Sequence, residues 1–385
     1  MTLKEMCDIV PGYAFKSSDF GSGDNFAVKI TDIQPPSIDV MNLENVSAIP
    51  KDDRTLLSKG DFVMAMTGAT IGKVGLFDGS KENVYINQRV CKFIPKDGYD
   101  KSFIYYLVSQ PNFRKFIFAN VDSSSAQPNI GHPTMYRYEQ NVPTLDVQKK
   151  IASVLSALDD KIALNKKMNQ KLEAMAKRLY DYWFVQYDFP DKNGHPYKTT
   201  GGPMTYNPTL KREIPVGWEV KTIGDYLKIG NGRDHSKLAD GPYPVYGSGG
   251  LMRYVAEYLH DGETVLFPRK GTLNNVMYRN EPLWTVDTMF YTSVLVPHSA
   301  LFVFYSAKMF DFERLNTGTG VPSMTSDIIK KLPIISPDKQ ILEQFDKTVV
   351  KLYNQIHHNE KEISRLSEQR DKLLPLLMNG QVIVE

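Results

Sequence analysis

A proline-marked passage, Val142-Pro143-Thr144-Leu145-Asp146-Val147-Gln148-Lys149-Lys150-Ile151, opens a long helical pattern and recurs 190 residues later. The second copy is Leu332-Pro333-Ile334-Ile335-Ser336-Pro337-Asp338-Lys339-Gln340-Ile341. Other landmarks repeat in the same order, including Gln127-Pro128-Asn129-Ile130 and Val321-Pro322-Ser323-Met324. Because each copy ends in a helix, the repeat predicts two similar globular heads, each followed by a helical stalk. A protein with two similar heads suits a target that also has two similar parts.

The helical pattern after each entry carries a heptad seam. Seam positions in Ile151–Trp183 are mostly apolar, and those in Ile341–Leu373 are more polar. A helix over the first range would be a rod of roughly 50 Å. Since B-DNA advances about 34 Å per turn, heads at the ends of such a rod would meet two sites on one face of a duplex.

Each seam has a polar pair in mid-helix, Asn165 with Asn169 in the first copy and Gln355 with Asn359 in the second. An antiparallel pairing of the two helices predicts that Asn165 faces Asn359 and that Asn169 faces Gln355. Buried amides of this kind fix the register of a helix pair at some cost in stability. The alternative is a solvent-facing polar turn in each helix.

The heads combine alternating apolar segments with helical ones. We expect α+β heads that open with short strands at Leu3–Ile9 and Ile223–Ile229 and contain helices at 101–118 and 300–315. Between matching landmarks the first head carries about 30 extra residues. The connector between the first stalk and the second head is rich in Gly, Pro, Thr, Asn and Lys, as linkers are.

The predicted fold is therefore α+β, with two similar mixed α/β heads separated by two long helices. We expect these helices to pair as an antiparallel coiled coil with pseudo-twofold symmetry. The expected boundaries are 1–145 for the first head, 146–187 for the first helix, 188–217 for the connector, 218–335 for the second head and 336–385 for the second helix.

The composition limits the class of protein. A chain of 385 residues with 42% hydrophobic content is large enough for two or three packed domains. Cys7 and Cys91 are the only cysteines, too few for a disulfide framework. The sequence has no signal-peptide core and no apolar run near the roughly 18 residues of a membrane span, so we expect a cytoplasmic protein without a membrane partner. The net charge of +2 neither requires nor excludes nucleic acid.

Motifs for catalysis are weak or missing in the sequence. Pro190-Asp191 with Glu219-Val220-Lys221 fits the letters of a nuclease metal site, but Asp191 lies in the turn-rich connector. Gly247-Ser248-Gly249-Gly250 lacks the spacing of a phosphate-binding loop and is typical of a turn. Neither the Asp/Asn-Pro-Pro-Tyr/Phe tetrapeptide of amino-methyltransferases nor a His-Glu-x-x-His zinc pair is present. We expect no catalytic residue, no metal and no cofactor on this chain.

Loops that carry basic, amide and hydroxyl groups beside glycine recur at equivalent places in the two heads. Such groups suit a DNA duplex, because Lys and Arg neutralise phosphates and Gln, Asn and Arg pair with base edges. The alternative is ordinary turn chemistry, but the recurrence in both heads favours function. The predicted DNA-binding residues are Thr67, Thr70, Lys73, Arg89, Ser124, Ser125, Gln127 and Asn129 in the first head, and Arg269, Lys270, Thr272, Asn274, Thr317, Thr319 and Ser323 in the second.

The order of these segments resembles the specificity subunit of type I restriction-modification enzymes, and the resemblance covers nearly the whole chain. It depends on Gly60-Asp61-Phe62-Val63 with the Gly68 loop, on Gln127-Pro128-Asn129-Ile130, and on the two proline helix entries. The remaining matching phrases are Arg178-Leu179-Tyr180-Asp181-Tyr182-Trp183-Phe184-Val185, Ile214-Pro215-Val216-Gly217-Trp218-Glu219-Val220 and Leu373-Leu374-Pro375-Leu376-Leu377-Met378-Asn379-Gly380.

The resemblance implies that each head is a target recognition domain for one half of a bipartite, asymmetric DNA site and that the helices are the spacer regions. It also implies double-stranded DNA, two modification subunits and restriction subunits as partners. S-adenosylmethionine, ATP and Mg²⁺ would be bound by those partner subunits, and this chain would be a non-catalytic part of an adenine-N6 methyltransferase/endonuclease complex. One departure is the missing Pro-x-Gly-Trp entry before Leu3, which predicts that the first edge strand is either shorter or covered by a partner.

Two other interpretations remain open at this point. One is a standalone DNA-modifying enzyme with tandem domains, which the missing catalytic motifs disfavour. The other is a coiled-coil scaffold that binds only proteins, which a salt-dependent affinity for duplex DNA would exclude.

Overall fold

The computed structural model describes residues 1–121, 128–318, 320–382 and 384. The chain divides into two compact units. Unit one comprises Met1–Leu164 and Glu362–Glu385, and unit two comprises Asn165–Lys361. The dividing points fall inside the two long helices, so each unit contains one head and a part of each helix. None of the helices in the described ranges is both long enough and apolar enough to cross a membrane.

Unit one is a mixed α/β head with segments of the two long helices. Its elements are α1 (Leu3–Met6), β1 (Cys7–Pro11), β2 (Phe20–Val28), β3 (Ile33–Gln34), β4 (Ser37–Ile38), β5 (Glu44–Val46), β6 (Phe62–Ala65), β7 (Val74–Leu76), β8 (Val84–Ile86), β9 (Val90–Pro95), α2 (Lys101–Ser109), α3 (Pro111–Ala119), α4 (His132–Met135) and the long helix α5 (Leu145–Tyr180). One sheet has the strand order β1-β9-β6-β7-β4-β3, and another has the order β5-β2-β8.

Unit two is also a mixed α/β head with segments of the two long helices, and a π-helical turn at Asp181–Val185 follows α5. Its elements are β10 (Met204–Asn207), β11 (Arg212–Pro215), β12 (Glu219–Thr222), α6 (Ile223–Tyr226), β13 (Leu227–Asn231), β14 (Tyr243–Gly247), β15 (Gly250–Val255), β16 (Glu263–Pro268), β17 (Met277–Asn280), β18 (Trp284–Thr285), β19 (Met289–Val294), α7 (Ala300–Ala307), α8 (Ser326–Lys330), β20 (Pro333–Ser336) and the long helix α9 (Lys339–Met378). Its sheets have the orders β13-β19-β16-β17, β15-β14-β18, β12-β20 and β10-β11.

The core of each unit joins the head to the long helices. In unit one, Phe103 and Phe113 of the head belong to one buried cluster with Leu155 of α5 and Leu377 of α9. In unit two, Phe302 of α7 packs in a cluster with Phe184 and with Phe345 of α9. Fully burying an aromatic or aliphatic side chain stabilises a fold by roughly 1.5–3 kcal/mol. These shared clusters therefore stabilise the packing of each head against the helix segments of its own unit.

The opening segment of each head differs from the predicted strand. Each begins with one helical turn, α1 or α6, before the strand. The turn forms because Thr2 and Glu5 make a capping box, with the Thr2 amide 2.6 Å from the Glu5 carboxylate. Thr222 and Asp225 repeat the box in unit two at 2.7 Å. The Thr-x-x-acid pattern was therefore a helix-start signal inside an apolar run.

Two further helix predictions were too long. The helix expected over 101–118 is divided between α2 and α3, because Pro111 lacks the N–H that would continue α2 and instead starts α3. The helix expected over 300–315 ends at Ala307. In the first head a single bridge joins Thr2 to Glu139, at the place where β12 and β20 pair over four residues in the second head.

The connector is more ordered than a linker. It contains the β10–β11 hairpin, and the Phe189 ring stacks on Tyr197 at 4.6 Å and on Trp218 at 4.8 Å between ring centroids. The Asp188 carboxylate accepts hydrogen bonds from the backbone N–H and the hydroxyl of Thr199, both at 2.7 Å. These contacts order the connector internally, and the Phe189–Trp218 stacking attaches it to the second head.

Candidate nucleic-acid interface

Three loops of the first head are held together by main-chain hydrogen bonds. Met66 N–H donates to the carbonyl of Arg89 at 2.9 Å, and the carbonyl of Met66 accepts from Ile130 N–H at 3.0 Å. Gly68 N–H donates to the carbonyl of Pro128 at 2.9 Å. The loops at 66–73, 87–89 and 128–130 therefore form one framework, which we call the loop framework.

The second head has the same framework, bond for bond. Arg269 N–H donates to the carbonyl of Thr288 at 2.8 Å, and the carbonyl of Arg269 accepts from Met324 N–H at 2.8 Å. Gly271 N–H donates to the carbonyl of Pro322 at 3.0 Å. An isolated bridge accompanies each set, from Thr67 to Asn129 in the first head and from Lys270 to Ser323 in the second. Met66 thus corresponds to Arg269, Thr67 to Lys270, Arg89 to Thr288 and Asn129 to Ser323.

A glycine sits against each framework because the backbone leaves no room for a side chain. A Cβ on Gly12 would lie 2.1 Å from the carbonyl oxygen of Asn87, and a Cβ on Gly232 would lie 2.0 Å from that of Val286. Both distances are far below van der Waals contact, so another residue would displace the loop. Gly12 and Gly232 are therefore packing requirements of the two frameworks.

The framework of the first head borders a concave surface of about 440 Å³. Three predicted residues, Thr67, Arg89 and Asn129, line it together with Gln88 and His132, which sequence reasoning missed. Gln88, Arg89, Asn129 and His132 are exposed, and Thr67 is half-buried. The polar groups of the four exposed residues therefore lie at the surface of loops that main-chain hydrogen bonds hold together.

The remaining polar groups predicted in the first head have different positions. The hydroxyl oxygens of Thr67 and Thr70 are buried without a hydrogen-bond partner among the described residues, so the hydroxyls are withdrawn from the surface. Lys73 lies in a separate cleft with Tyr105 and Arg370. The predicted residues Ser124, Ser125 and Gln127 lie outside the described residues.

In the second head the predicted residues divide into exposed and structural ones. Arg269, Lys270 and Thr272 are exposed where the chain leaves β16. Asn274 instead ties two loops together, since its Oδ1 accepts from Phe312 N–H at 2.8 Å and its Nδ2 donates to Asp311 at 3.3 Å.

The remaining predicted residues of the second head lie in the neighbouring turn. Thr317 is bound inside this turn, because its hydroxyl donates to the carbonyl of Ser323 at 3.2 Å and its N–H donates to the same carbonyl at 3.0 Å. Ser323 is half-buried there. Thr319 lies outside the described residues.

The two frameworks differ in where they carry positive charge. The first head has Arg89 on the loop after β8, where the second head has Thr288. The second head has Arg269 and Lys270 at the end of β16, where the first has Met66 and Thr67. The Arg269 guanidinium also lies 5.9 Å from the centre of the Phe290 ring. The same backbone therefore presents different donors at different places.

The sequence matches a known family over both heads. Residues 1–174 and 215–366 match the type I restriction modification DNA specificity domain. The chain belongs to this family. It is 27% identical to the type I restriction enzyme MjaIX specificity subunit of Methanocaldococcus jannaschii, over 88% of this chain and 81% of that protein. It is 21% identical to the HindI specificity subunit of Haemophilus influenzae, over 88% of this chain and 90% of that protein.

The fold of this DNA specificity chain is also known from a crystal structure. The type I restriction-modification S subunit from M. genitalium superposes with a TM-score of 0.63 at 18% sequence identity. The match covers 98% of this chain and 95% of the other. The shared fold is the mixed α/β architecture with long helices.

The helix residues expected to fix the register are in contact in unit two of this DNA specificity chain. Asn359 Nδ2 donates to Asn169 Oδ1 at 2.7 Å, and Gln355 Nε2 donates to Asn359 Oδ1 at 2.8 Å. Asn169 was expected to face Gln355, so its partner lies one helical turn away from the predicted one. Asn165 is buried, with 2% of its surface exposed, and Asn359 equally so, which argues against a solvent-facing turn at these two positions.

A tyrosine, a carboxylate and a cation link the head to α9 in each unit of this DNA specificity chain. In unit one, Tyr106 donates to Asp159 Oδ2 at 2.8 Å, and Arg370 Nη1 donates to Asp159 Oδ1 at 2.7 Å. Burial, followed by the charge of Asp159, raises the pKa of Tyr106 above its ordinary value, so the hydroxyl remains a donor.

The corresponding link in unit two ends on a histidine. Tyr246 donates to Glu281 Oε1 at 3.1 Å, and His357 Nε2 lies 3.2 Å from Glu281 Oε2. The hydrogen bond with Glu281, and then that with Glu360, raises the pKa of His357 to about 9. His357 is therefore a cation at neutral pH.

A buried carboxylate explains the Gly60-Asp61 landmark of the family. Asp61 accepts from Lys92 at 2.9 Å and from Lys101 at 2.6 Å. Burial alone would raise the pKa of Asp61, but the hydrogen bonds from Lys101, the Ser58 N–H and Lys92 hold it below its ordinary value. The group neutralises a lysine inside the head and supports the sheet beneath the loop framework.

The weak catalytic motifs have structural roles. Asp191 Oδ1 accepts from the N–H groups of Asn193 and His195 at 2.8 and 2.9 Å, as in an ordinary Asx turn. Gly247 pairs with Gly250 at the tip of the β14–β15 hairpin, which confirms the predicted turn. In the ranges that the structure describes, no group of three or more His, Cys, Asp or Glu side chains is arranged to hold a metal ion.

Proposed function

We propose that this specificity subunit reads a bipartite, asymmetric DNA site, with one half-site read by each head. The observation that carries this proposal is the loop framework, which recurs in both heads with different exposed groups along its rim. Because the framework is shared, we expect both heads to bind the same type of ligand. Because the exposed side chains on it differ, we expect the two heads to read different halves of the DNA site. The DNA specificity family fits duplex DNA as that ligand.

The exposed groups have the chemistry of base reading. Arg89, Gln88 and Asn129 surround the concave surface of the first head. Arginine pairs bidentately with the O6 and N7 atoms of guanine, and asparagine or glutamine pairs with N6 and N7 of adenine, each worth about 1–3 kcal/mol of discrimination. Arg269 and Lys270 supply the corresponding cations in the second head. Main-chain N–H groups beside Gly68 and Gly271 would approach phosphates.

The long helices fix the spacing in this proposal by pairing as an antiparallel coiled coil with pseudo-twofold symmetry. Contacts inside unit two support the pairing. Asn169 of α5 meets Asn359 of α9, and further along α5 the Tyr180 ring lies 6.2 Å from Phe345. Residue numbers thus rise along one helix as they fall along the other. Asn169 and Asn359 also occupy equivalent positions of the repeat, which are expected to meet at a twofold axis.

The division of labour in the proposed complex follows from the missing catalytic motifs. The target recognition domains are residues 1–145 and 218–335, and the spacer helices are 146–187 and 336–385, with 188–217 between them. The helices dock two modification subunits, which bind S-adenosylmethionine and methylate adenine at N6. Restriction subunits supply ATP- and Mg²⁺-dependent cleavage in the cytoplasm. This chain selects the DNA sequence and catalyses neither methylation nor cleavage.

Methylome sequencing tests the proposal directly. Cells that express this chain with the modification subunit of its system are expected to carry a split motif, with one N6-methyladenine on each strand. Cells that express the modification subunit alone are expected to lack it. Methylation at an unsplit motif, or methyl transfer from S-adenosylmethionine to DNA by this chain alone, would contradict the proposal.

A further inference from the structure

Each head is joined to helix α9 by a short chain of polar groups with the same chemistry. The Tyr106 chain runs from α2 through Asp159 of α5 to Arg370 of α9. The Tyr246 chain runs from β14 through Glu281 to His357 of α9. In both, a tyrosine hydroxyl donates to one carboxylate oxygen while a cation on α9 is held by the other oxygen. Neither chain lies in the loop framework.

The surroundings of these chains make their geometry restrictive. Tyr106 and Tyr246 are each 4% exposed, and the side chains of Asp159 and Arg370 are 20% and 22% exposed. Apolar contacts between a head and a helix tolerate rotation because they are non-directional. Hydrogen bonds to a charged group depend on angle and are stronger than neutral ones. A half-buried carboxylate with both oxygens engaged therefore holds its head at one angle on the helix.

The angle of a head on its helix matters if the heads read two half-sites. One base pair of B-DNA corresponds to a rotation of about 34° and a rise of about 3.4 Å. A head that turns by about that rotation, and shifts by about that rise, meets the groove one base pair out of phase. A change in the angle of one head on its helix therefore changes the length of spacer DNA that is accepted, even when the helices themselves are unchanged.

We propose that Tyr106 and Tyr246, acting through Asp159 and Glu281, are positioning residues that fix the length of spacer DNA this subunit accepts. The proposal rests on the proposed half-site function. It assigns the spacing to two parts, the length of the helix pair and the angle of each head on it. Neither tyrosine contacts DNA in this role.

Tyr106→Phe is the sharpest test, because it removes only the hydroxyl and leaves the Asp159–Arg370 ion pair in place. Tyr246→Phe does the same in the second head. Asp160→Asn is the matched control for a second variant, Asp159→Asn. The control variant Asp160→Asn removes the same charge from the adjacent, exposed position of α5.

The assay uses the assembled complex with its modification subunits and S-adenosylmethionine. Duplexes carry the same two half-sites with the native spacer or with a spacer one base pair shorter or longer. In each tyrosine variant we expect methylation of the altered duplexes, relative to the native one, to rise roughly tenfold, as loss of one charge-assisted hydrogen bond allows. We expect an equal or larger rise for Asp159→Asn and none for Asp160→Asn.

The readout separates positioning from folding. A purely structural role would lower methylation of every duplex in proportion. The ratio of methylation on altered-spacer duplexes to methylation on the native-spacer duplex would then stay unchanged, which would overturn the proposal. Retention of the wild-type ratio at full activity in both tyrosine variants would overturn it as well. Failure of the half-site function would show already in the wild-type complex, as methylation that ignores one half-site.

Discussion

Asn359 donates a hydrogen bond of 2.7 Å to Asn169, and the two asparagines occupy the same position in the two copies of the repeat. Asn169 also donates to the carbonyl of Ile356 at 3.4 Å, while Asn359 accepts from Gln355. The contact therefore joins the two long helices through polar groups. Polar groups in a seam specify one alignment and lower the stability of the pair.

The first prediction concerns this pair. Asn169→Ala is expected to lower the free energy of unfolding by about 1–2 kcal/mol, because it leaves the buried amide of Asn359 without its partner. Replacing both asparagines by leucine is expected to raise stability above the wild type, since neither polar group is then left buried. Urea unfolding followed by circular dichroism measures both changes. A double variant less stable than Asn169→Ala would contradict this account.

Arg89 is predicted to affect one half-site only. In the assembled complex, Arg89→Ala is expected to reduce discrimination at one position of the first half-motif by about tenfold or more, the value of one bidentate pair of hydrogen bonds to a base. The second half-motif should be unchanged, because Arg89 belongs to the first head. Methylome sequencing shows both. Arg54→Ala, which removes the same charge from an exposed turn of unit one, serves as the control, and a similar effect there would remove Arg89 from the interface.

Arg269 and Lys270 are predicted to act through charge. Alanine at either position is expected to weaken DNA binding by the complex and to lower the slope of log affinity against log salt by about 0.9 for each phosphate that the side chain neutralises. Asn274→Ala is the contrasting variant, because Asn274 holds Phe312 and Asp311. It should lower thermal stability while the salt slope stays at the wild-type value. Equal salt slopes in all three variants and the wild type would exclude the Arg269 loop from phosphate binding.

His357 gives a prediction about pH. Its pKa is raised to about 9 in the folded chain, above the roughly 6.5 of an unperturbed histidine. A group with a raised folded pKa contributes stability that is fully present below its unfolded pKa and is lost as pH rises through its folded pKa. The stability difference between wild type and His357→Gln should therefore be largest below pH ~6.5 and should vanish above pH ~9.

Urea unfolding at several pH values measures that difference. His358→Gln is the matched control at the adjacent, exposed position, for which we expect no such trend. A constant difference between the His357 variant and wild type across the range would show that His357 contributes only by packing.

The repeat predicted the loop framework well, for a physical reason. Glycines such as Gly68 and Gly271, with φ of 71° and 88°, are needed where the backbone turns left-handed, so they stay visible in the sequence. Gln88 and His132 were missed because their proximity depends on two loops that only the tertiary structure brings together. Thr67 and Thr70 were chosen as turn hydroxyls, but sequence does not indicate which way a hydroxyl faces. The sequence likewise does not indicate whether the side-chain amide of Asn274 binds a ligand or, as in the structure, holds neighbouring loop residues.

Helix boundaries were predicted less well where two signals overlapped. Leu3 and Met6 fit a strand by their apolar character, but the capping box of Thr2 with Glu5 decides for one helical turn. In the long helices the heptad seam predicted which polar residues lie in mid-helix. Asn169, however, contacts Asn359, one helical turn from its predicted partner Gln355. A seam with several similar polar residues leaves neighbouring alignments close in energy, and packing of the surrounding side chains selects among them.

The bonds that hold the loop framework use only main-chain atoms, and this has a consequence for how such proteins change over time. Substitutions at Arg89, Asn129, Arg269 or Lys270 leave every one of those bonds intact, so folding places little restraint on these positions. Under the proposed function, a lineage could therefore acquire a new target by a few point mutations at these positions, while the fold of each head is inherited unchanged.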